Sequence, residues 1–460
     1  MTDVIIVGAG AAGLAAASAL SAAGAKVTVL ERKPYVGGRA YSYVHPALDE
    51  VVDCQHVLLG CCTNVVHLLG QAGAGETVRW FDELTFLETN GGVSRIKPSG
   101  LPAPLHAGMS FLAAPMLSVM DKAGIARGLM EFLRGYPQDD SESVEMWLKR
   151  MKQTQRSIRH FWEPVLVGSL NDSFARCSLK YAGQVFYESF LKSAEGGRLG
   201  IPRVPLSAMY GAVAEAATTR GAEIVLRASV ETVTQQADGW IVQAGGTECR
   251  AKSLILAVPF EQVQKLLPQL PEGLARTQLQ DKLTNFVHAP ITTVHLWWDR
   301  PITELEHAVL LDTGIQWIFN KARIRGWTPR ELQEHGHYVE LVISASAGEL
   351  QQERDEIIQS SLRELEMFFP RMREAKLLKS GVLKEARATF SVLPGLDQHR
   401  PEARTAWPGL YLAGDWTRTG WPSTMESGVR SGYLAAEAVA GQRFLQPDLP
   451  ATGLMRLLSR

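Results

Sequence analysis

Three glycines near the start of the chain, Gly8, Gly10 and Gly13, have the spacing G-x-G-x-x-G, and an acid, Glu31, lies about 20 residues further on. Glycines at this spacing permit a tight turn, let a pyrophosphate approach the backbone and allow close packing of a following helix. A carboxylate at the position of Glu31 accepts hydrogen bonds from ribose hydroxyls and disfavours a 2′-phosphate. The sequence therefore predicts a site for FAD or NAD rather than NADP. The predicted contacts here are Gly8, Gly10, Ala11, Ala12, Gly13, Glu31 and Arg32.

The sequence around these residues predicts the strands and the helix that position them. Asp3 to Val7 is a short apolar run typical of a buried strand, and an alanine-rich stretch from Leu14 to Gly24 predicts a helix. A second apolar run, Lys26 to Leu30, ends directly before Glu31. The order strand, glycine loop, helix, strand and acid favours a dinucleotide-binding unit over an ordinary βαβ unit.

A second loop follows at once, with Gly37, Gly38 and Arg39. A guanidinium facing a diphosphate is a sound pairing, although the same residues fit a surface turn with an incidental arginine. The stretch from Glu31 to Arg39 resembles the second signature of FAD-dependent amine oxidases and phytoene-type desaturases. That resemblance implies FAD, with Gly38 and Arg39 near the diphosphate.

The end of the chain carries a third signature. An apolar strand ends at Gly414 and Asp415, and a helix is predicted from Ser423, with Ser423 and Glu426 spaced as a capping box. Asp415 can accept a hydrogen bond from a ribityl hydroxyl, and the positive end of the helix can face the pyrimidine edge of a flavin. The pattern A-G-D-x(8)-T-M-E-S-G resembles the C-terminal FAD motif of the same superfamily. Together with a positional match near the middle of the chain, it adds the predicted contacts Val230, Gly414, Asp415, Thr424, Met425, Glu426 and Val429.

A narrower resemblance appears between Val51 and Asn64, which look like the D-x-G-Q-H-x-L-L-G segment of hydroxysqualene dehydroxylases. The chain departs from that pattern at Cys54, where the segment is one residue shorter. The stretch Pro102 to His106 resembles the P-A-P-L-H segment of the same family. The resemblance implies that Gln55 and His56 lie along the flavin, although His56 also fits a core histidine with satisfied hydrogen bonds.

The implied activity is reduction of hydroxysqualene to squalene, with FADH₂ as the hydride donor. Its chemistry needs an acid for the leaving hydroxyl, for which Asp53 and His56 are the candidates nearest in sequence, and aromatic faces for an allylic cation, for which Trp416 and Trp421 are suitable. Two alternatives stay open. One is a desaturase or oxidase of another polyprenyl or amine substrate, and the other is a lipid carrier related to the escort proteins of prenylated GTPases.

The expected fold class is α/β, with a Rossmann-type, GR2-like FAD-binding domain and an interleaved α+β substrate domain. The predicted FAD-binding domain comprises residues 1–60, 205–285 and 381–445, and the substrate domain comprises residues 61–204 and 286–380. Within the latter, Val119 to Leu133 predicts an amphipathic helix whose apolar face carries Val119, Ala123, Ala126, Met130 and Leu133. Such a helix, with lysine and arginine at its edges, fits either contact with an anionic membrane or an ordinary domain helix.

Composition limits the remaining classes. A formal net charge of −1 gives no general attraction to nucleic acid, and five cysteines without a C-x-x-C pair favour a reducing compartment without a metal site. No lysine or arginine precedes Lys26, so the basic part of a signal peptide is missing. A cytoplasmic protein is expected, with peripheral contact with the inner face of the cell membrane as an open alternative. Its expected partners are an apolar isoprenoid substrate and an unidentified electron donor.

Overall fold

The computed structural model describes residues 2–458 of the chain. Its strands are β1 (Thr2–Val7), β2 (Val27–Glu31), β3 (Ser42–His45), β4 (Glu50–Asp53), β5 (Leu58–Leu59), β6 (Val78–Phe81), β7 (Leu84–Leu87), β8 (Val93–Ile96), β9 (Leu199–Pro202), β10 (Glu223–Leu226), β11 (Val230–Gln236), β12 (Gly239–Ala244), β13 (Thr247–Leu256), β14 (His288–Trp298), β15 (His307–Leu310), β16 (Trp317–Phe319), β17 (His337–Ser344), β18 (Leu377–Phe390) and β19 (Leu410–Leu412).

The α-helices are α1 (Ala11–Ala22), α2 (Thr63–Gln71), α3 (Gly108–Ala113), α4 (Val119–Met130), α5 (Val144–Arg150), α6 (Gln155–Ser157), α7 (Glu163–Leu170), α8 (Leu179–Val185), α9 (Leu206–Thr219), α10 (Phe260–Leu266), α11 (Leu274–Leu283), α12 (Lys321–Arg325), α13 (Pro329–His335), α14 (Arg354–Phe368), α15 (Met425–Ala440) and α16 (Met455–Leu458). Two π-helical turns interrupt the helical region, at Ile158–Trp162 and Phe186–Leu191.

The first sheet has the order β10-β2-β1-β13-β12-β11, and β19 pairs with the end of β13. Strands β10, β2, β1, β13 and β19 run parallel, and β11 and β12 add an antiparallel meander. Because helices cover this sheet, its parallel strands are continuous apolar runs. Helix α1 is buried almost all round, and its small residues let α15 approach so closely that a Cβ at Gly432 would overlap the Ala12 carbonyl. The Rossmann-type fold is confirmed.

The second sheet has the order β18-β14-β17-β16-β15-β7-β8 and is antiparallel except between β15 and β7. The long strand β14 lies between β17 and β18, and its residues Val294 and Leu296 are fully buried. Strand β18 continues to Phe390, so this sheet extends past the domain boundary predicted at residue 380.

Residues 141–200 are mainly helical, and most of their aromatic side chains form a core. Trp147 and Trp162 are buried and meet edge to face, and Phe132 stacks on Trp147. Trp162 also meets Phe186 of the second π-helical turn. This core fixes the orientation of the helix that ends in that turn.

The amphipathic helix predicted from Val119 begins there and ends at Met130 rather than at Leu133. Ser118 and Asp121 form a capping box at its start, and Asp121, Ile125 and Gly128 form its buried face. Four residues of the predicted apolar face, Val119, Ala123, Ala126 and Met130, are exposed, Val119 at 83%, whereas Leu133 is partly buried against the core. Among residues 2–458, no helix combines the length and the apolar character that crossing a bilayer requires.

Candidate functional site

A cavity of about 640 Å³ lies between the two sheets. Its wall contains residues of all three predicted signatures. The predicted cofactor contacts in this wall are Gly8, Gly10, Ala11, Ala12, Glu31, Arg32, Gly38, Arg39, Gln55, His56, Val230, Gly414, Asp415, Thr424, Met425 and Glu426. The two others, Gly13 and Val429, lie buried behind the wall in the helices that support it.

The glycine loop gives this cavity an uncapped helix end. Gly8 has a φ of +102°, and a Cβ there would lie 2.6 Å from the Ala257 carbonyl oxygen. A Cβ at Gly13 would overlap the Gly8 carbonyl, so only glycine lets α1 begin this close to the end of β1. Gly10, the N-cap, supplies no side-chain hydrogen bond, and the N–H groups of the first turn are therefore free for an anionic ligand.

Glu31 ends β2 with both carboxylate oxygens facing backbone donors. Oε2 accepts from the Ala9 N–H at 2.8 Å, and Oε1 accepts from the Lys33 N–H at 2.8 Å. A carboxylate has further lone pairs, so these bonds orient the group and still leave it able to accept from a ribose hydroxyl. The second loop is joined to the first by a hydrogen bond from the Gly37 N–H to the Ala9 carbonyl.

Arg39 and Asp415, predicted as separate contacts of the cofactor, form an ion pair across the cavity wall, with 2.5 Å between Nη2 and Oδ1. The second oxygen of Asp415 accepts from the Ser423 hydroxyl at 2.5 Å. Burial by itself raises the pKa of Asp415, but the Arg39 guanidinium and the Ser423 hydroxyl outweigh burial, and the net shift is downward. Asp415 is therefore ionised and held in place, ready to accept from a further hydroxyl.

The capping box predicted from Ser423 and Glu426 is wrong. The N-cap of α15 is Thr424, whose hydroxyl accepts from the Ser427 N–H, because the Ser423 hydroxyl is used by Asp415. Glu426 instead accepts from the backbone N–H groups of Asn64 and Val65 and so caps the start of α2.

Asp53 does not line the cavity but lies in a buried ionic cluster behind it. Lys321 Nζ is 3.0 Å from Asp53 Oδ1, 3.1 Å from Glu340 Oε2 and 2.6 Å from Gln55 Oε1. Arg325 contacts the other oxygen of Asp53 at 3.4 Å. Although burial opposes it, these two cations hold the pKa of Asp53 well below its usual range. An ionised, doubly paired carboxylate outside the wall is unsuited to protonate a substrate, so the geometry argues against Asp53 as the acid.

In this cluster, the negative charge of Glu340 is only partly balanced by nearby cations. Burial and the charge of Asp53 raise its pKa to about 7, against the pull of Lys321. Its Oε1 accepts from the Gln55 N–H at 2.7 Å. The cluster therefore holds both the backbone and the side chain of Gln55, which lines the cavity.

His56 lines the cavity as predicted. Its Nδ1 is 2.7 Å from the Cys54 carbonyl oxygen and must be the donor, because a carbonyl only accepts. Burial lowers the pKa of His56, so the ring is neutral and Nε2 is an acceptor. This arrangement suits hydrogen bonding to a donor better than delivery of a proton.

The part of the cavity away from the glycine loop is mainly apolar. Trp421 belongs to this wall, whereas Trp416 packs against Phe286 outside it and donates to the Val258 carbonyl. Of the two tryptophans predicted to form an aromatic wall, only Trp421 therefore lines the cavity. The other apolar wall residues of this part are Leu58, Leu59, Leu84, Phe86, Val165, Val185, Phe190, Leu199, Ile291, Val309, Trp317, Phe319 and Val342.

Sequence reasoning missed two polar residues of this chamber, Gln184 and Glu188. Both lie in a helical stretch rich in aromatic residues. Their signal is a pair of polar residues four positions apart among aromatic neighbours, which places them on one side of a helix. The sequence also gave no reason to connect Lys321 or Glu340 with the Gln55 loop.

The wall fits FAD by its chemistry. An uncapped helix N-terminus suits a diphosphate, Glu31 suits a ribose, and the start of α15 places a second helix end beside the same cavity. The parts of the cavity nearest the glycine loop would hold the adenosine and diphosphate, with Val230 on β11 in the wall. The start of α15 would then face the flavin ring.

Comparisons with known proteins agree with this geometry. The sequence profile of a family described as "Flavin containing amine oxidoreductase" matches residues 11–440. The chain is 26% identical to a chloroplastic/chromoplastic 15-cis-phytoene desaturase of Glycine max over 95% of this chain and 79% of the relative. It is 23% identical to a 15-cis-phytoene desaturase of Synechococcus elongatus over 96% of both chains. A crystal structure of an oxidoreductase from Methanosarcina mazei superposes with a TM-score of 0.71 at 17% identity, covering 96% of this chain and 100% of the other.

Proposed function

The chain belongs to the family of flavin-containing amine oxidoreductases and is an FAD-dependent oxidoreductase, and from this premise we propose that it reduces hydroxysqualene to squalene. In this reaction a C–O bond breaks and a C–H bond forms at the same carbon, and the oxygen leaves as water after taking up a proton. Reduced FAD, when bound, supplies the hydride equivalent for the new C–H bond.

The observation that supports this proposal most directly is the continuity of the cavity. One wall carries the dinucleotide signatures, and the same space extends into a chamber of aliphatic and aromatic side chains. A chamber of this kind excludes water and gains free energy from each apolar group that it buries, which suits a long isoprenoid chain. The names of the relatives point the same way, because phytoene is an isoprenoid hydrocarbon.

Aromatic side chains of the chamber would stabilise an allylic cation as the hydroxyl leaves. Trp421 lies in the wall two residues before Ser423, and Trp317 and Phe319, both on β16, stack on each other in the wall with ring centroids 5.6 Å apart. The negative face of an aromatic ring attracts a cation, and this attraction is stronger where water is excluded. His56, with a neutral ring, would accept a hydrogen bond near the flavin.

A second candidate is desaturation of a carotenoid-type polyprenyl substrate, in which the flavin runs in the oxidative direction. The identity to phytoene desaturases along nearly the whole chain favours it. It needs an electron acceptor, whereas dehydroxylation needs a two-electron donor, which we propose as the unidentified redox partner.

We also propose peripheral contact with a membrane through an exposed apolar surface at α3 and α4. The two helices meet where Lys122 Nζ donates to the Leu112 carbonyl at 2.7 Å, and Leu112 is 67% exposed. Lys97 and the exposed Arg127 lie in the same region, which suits anionic lipid headgroups. The exposed apolar residues are Leu101, Leu105, Met109, Leu112, Val119, Met120 and Met130.

Sedimentation with anionic vesicles tests the membrane contact. Met120→Ser should reduce the bound fraction, whereas Leu274→Ser, an equally exposed leucine on α11, should not. Equal binding of wild type and both variants would contradict the assignment of this surface.

The catalytic proposal is tested with the purified FAD-loaded protein. The enzyme is reduced without oxygen and mixed with hydroxysqualene, and extracted lipids are analysed by gas chromatography and mass spectrometry. We expect squalene in an amount equal to the flavin supplied. A product from phytoene with oxidised enzyme and an artificial acceptor, together with no squalene, would favour the desaturase. A purified protein without the flavin absorption band would instead support a lipid carrier.

A further inference from the structure

The apolar chamber contains a buried hydrogen-bond acceptor without a partner. Gln184 lies in the wall and is 3% exposed. Its Nε2 donates to the Gly420 carbonyl at 2.9 Å, which fixes the amide orientation, because a flipped amide would place two oxygens together. Its Oε1 has no hydrogen-bond partner among the described residues. Since buried polar groups are normally paired, this oxygen indicates a ligand that carries a donor.

A carboxyl group lies one turn further along the same helical segment. Glu188 also belongs to the wall and is 5% exposed. Its Oε2 accepts from Lys192 Nζ at 2.8 Å, and within residues 2–458 no hydrogen bond reaches Oε1. The π-helical turn Phe186–Leu191 contains Glu188, and turns of this kind are frequent at functional sites.

We propose that Gln184 and Glu188 form the site for the substrate hydroxyl, with Gln184 accepting its hydrogen bond and Glu188 protonating the oxygen as it leaves. This inference rests on the proposed function and names its acid. The proton of Glu188 joins the hydroxyl group and the two leave as water, the C–O electron pair stays on that oxygen, and the carbon takes its hydride equivalent from the reduced flavin. A hydrocarbon substrate would satisfy neither polar group.

The surroundings of Glu188 are compatible with an acid. Burial raises its pKa, while Lys192 on the same segment lowers it, and the net direction is upward. Asp448 raises the pKa further and Arg430 lowers it, and Tyr136 faces the group from the neighbouring segment. A raised pKa keeps a larger share of the carboxyl protonated near neutral pH, as a proton donor requires.

The first test measures binding without turnover. Oxidised, FAD-loaded enzyme is titrated with hydroxysqualene or squalene, and binding is followed by the change in the flavin spectrum. Wild type should prefer the alcohol by about tenfold or more, because an unpaired buried acceptor discriminates against an analogue without the hydroxyl. In Gln184→Leu the preference should disappear, with squalene affinity nearly unchanged.

The second test measures C–O cleavage by reduced enzyme across pH. Glu188→Gln should slow cleavage by about 100-fold or more and remove the fall of the wild-type rate at high pH, where a general acid loses its proton. Glu145→Gln is the matched control, since it breaks another i,i+4 glutamate–lysine pair, on the surface and away from the cavity. Melting temperatures check that each variant is folded.

The outcomes separate the two proposals. If wild type makes squalene but Gln184→Leu keeps the preference, or Glu188→Gln keeps the rate and its pH profile, this inference is overturned and the function stands. If wild type shows no preference for the alcohol and makes no squalene, both are overturned.

Discussion

Replacing Lys321 by methionine should destabilise the protein strongly, because it removes the cation between two buried carboxylates. Methionine keeps the length of the side chain, so the change is mainly one of charge. The ammonium lies 3.0 Å from Asp53 and 3.1 Å from Glu340, and all three side chains are almost completely buried. Removing one partner of a buried ion pair costs about 3–5 kcal/mol. Arg325 still compensates Asp53, so we expect about 3 kcal/mol at pH 8.

Urea unfolding of the FAD-saturated protein measures this loss. The cost should be smaller at pH 6 than at pH 8, because Glu340 takes up a proton and is then neutral. Lys149→Met is the control, since it removes a 72% exposed lysine from an i,i+4 pair that is worth about 0.3–0.5 kcal/mol. Adding Glu340→Gln to Lys321→Met should recover part of the loss. A loss below about 1 kcal/mol at pH 8 would refute the account of the cluster.

Three further changes address the cluster and the cofactor cradle. The pKa of Glu340 is about 7 in the folded protein, whereas the pKa of an ordinary glutamate is 4.5. The free energy of unfolding should therefore fall by on the order of 3 kcal/mol as the pH rises from 4.5 to 7. Glu340→Gln should flatten this pH dependence in urea unfolding. Gly13→Ala should lower the FAD content of purified protein, seen in the ratio of flavin to protein absorbance, because the new Cβ overlaps the Gly8 carbonyl. Arg39→Leu should raise the pKa of Asp415 and weaken FAD binding by about tenfold or more in titrations of the apoprotein.

The nucleotide-binding half of the fold could be predicted because its signals are local. Strand, glycine loop, helix and acid follow one another within about thirty residues, and each constrains the backbone near itself. The predicted turn at Gly8 and the close packing at Gly13 are present, and the predicted strand is also present, although it includes Glu31 as its last residue rather than ending before it. The extent of β18, from Leu377 to Phe390, has no local signal, because it depends on pairing along β14, which is a tertiary contact.

Most of the cavity-wall residues named from the sequence lie on loops with a local motif, whereas the contacts that join distant segments were missed. Ser423 and Glu426 have the spacing of a capping box. However, the Ser423 hydroxyl donates to Asp415, and Glu426 accepts from a backbone N–H group at the start of α2. Asp53 is a candidate acid only by its position in sequence near Gln55. In the structure Asp53 pairs with Lys321, which lies more than two hundred residues away in sequence, and no local sequence pattern predicts that contact.

The direction of the redox reaction is not decided by the cradle that holds the cofactor. A helix end beside the flavin ring stabilises negative charge in the reduced state whether that state is formed by a substrate or used by one. The side chains of the chamber must therefore distinguish reduction from oxidation. A desaturase that acts on a hydrocarbon needs only an apolar wall there. A fixed amide oxygen and a carboxyl with a raised pKa are costly features for such a wall, because the buried amide oxygen has no partner among the described residues and the carboxyl is buried with Lys192 as its hydrogen-bond donor. Their presence is accounted for if the substrate brings a hydroxyl that needs both a hydrogen-bond acceptor and a proton, and this is why Gln184 and Glu188 favour reduction of an alcohol over oxidation of a hydrocarbon.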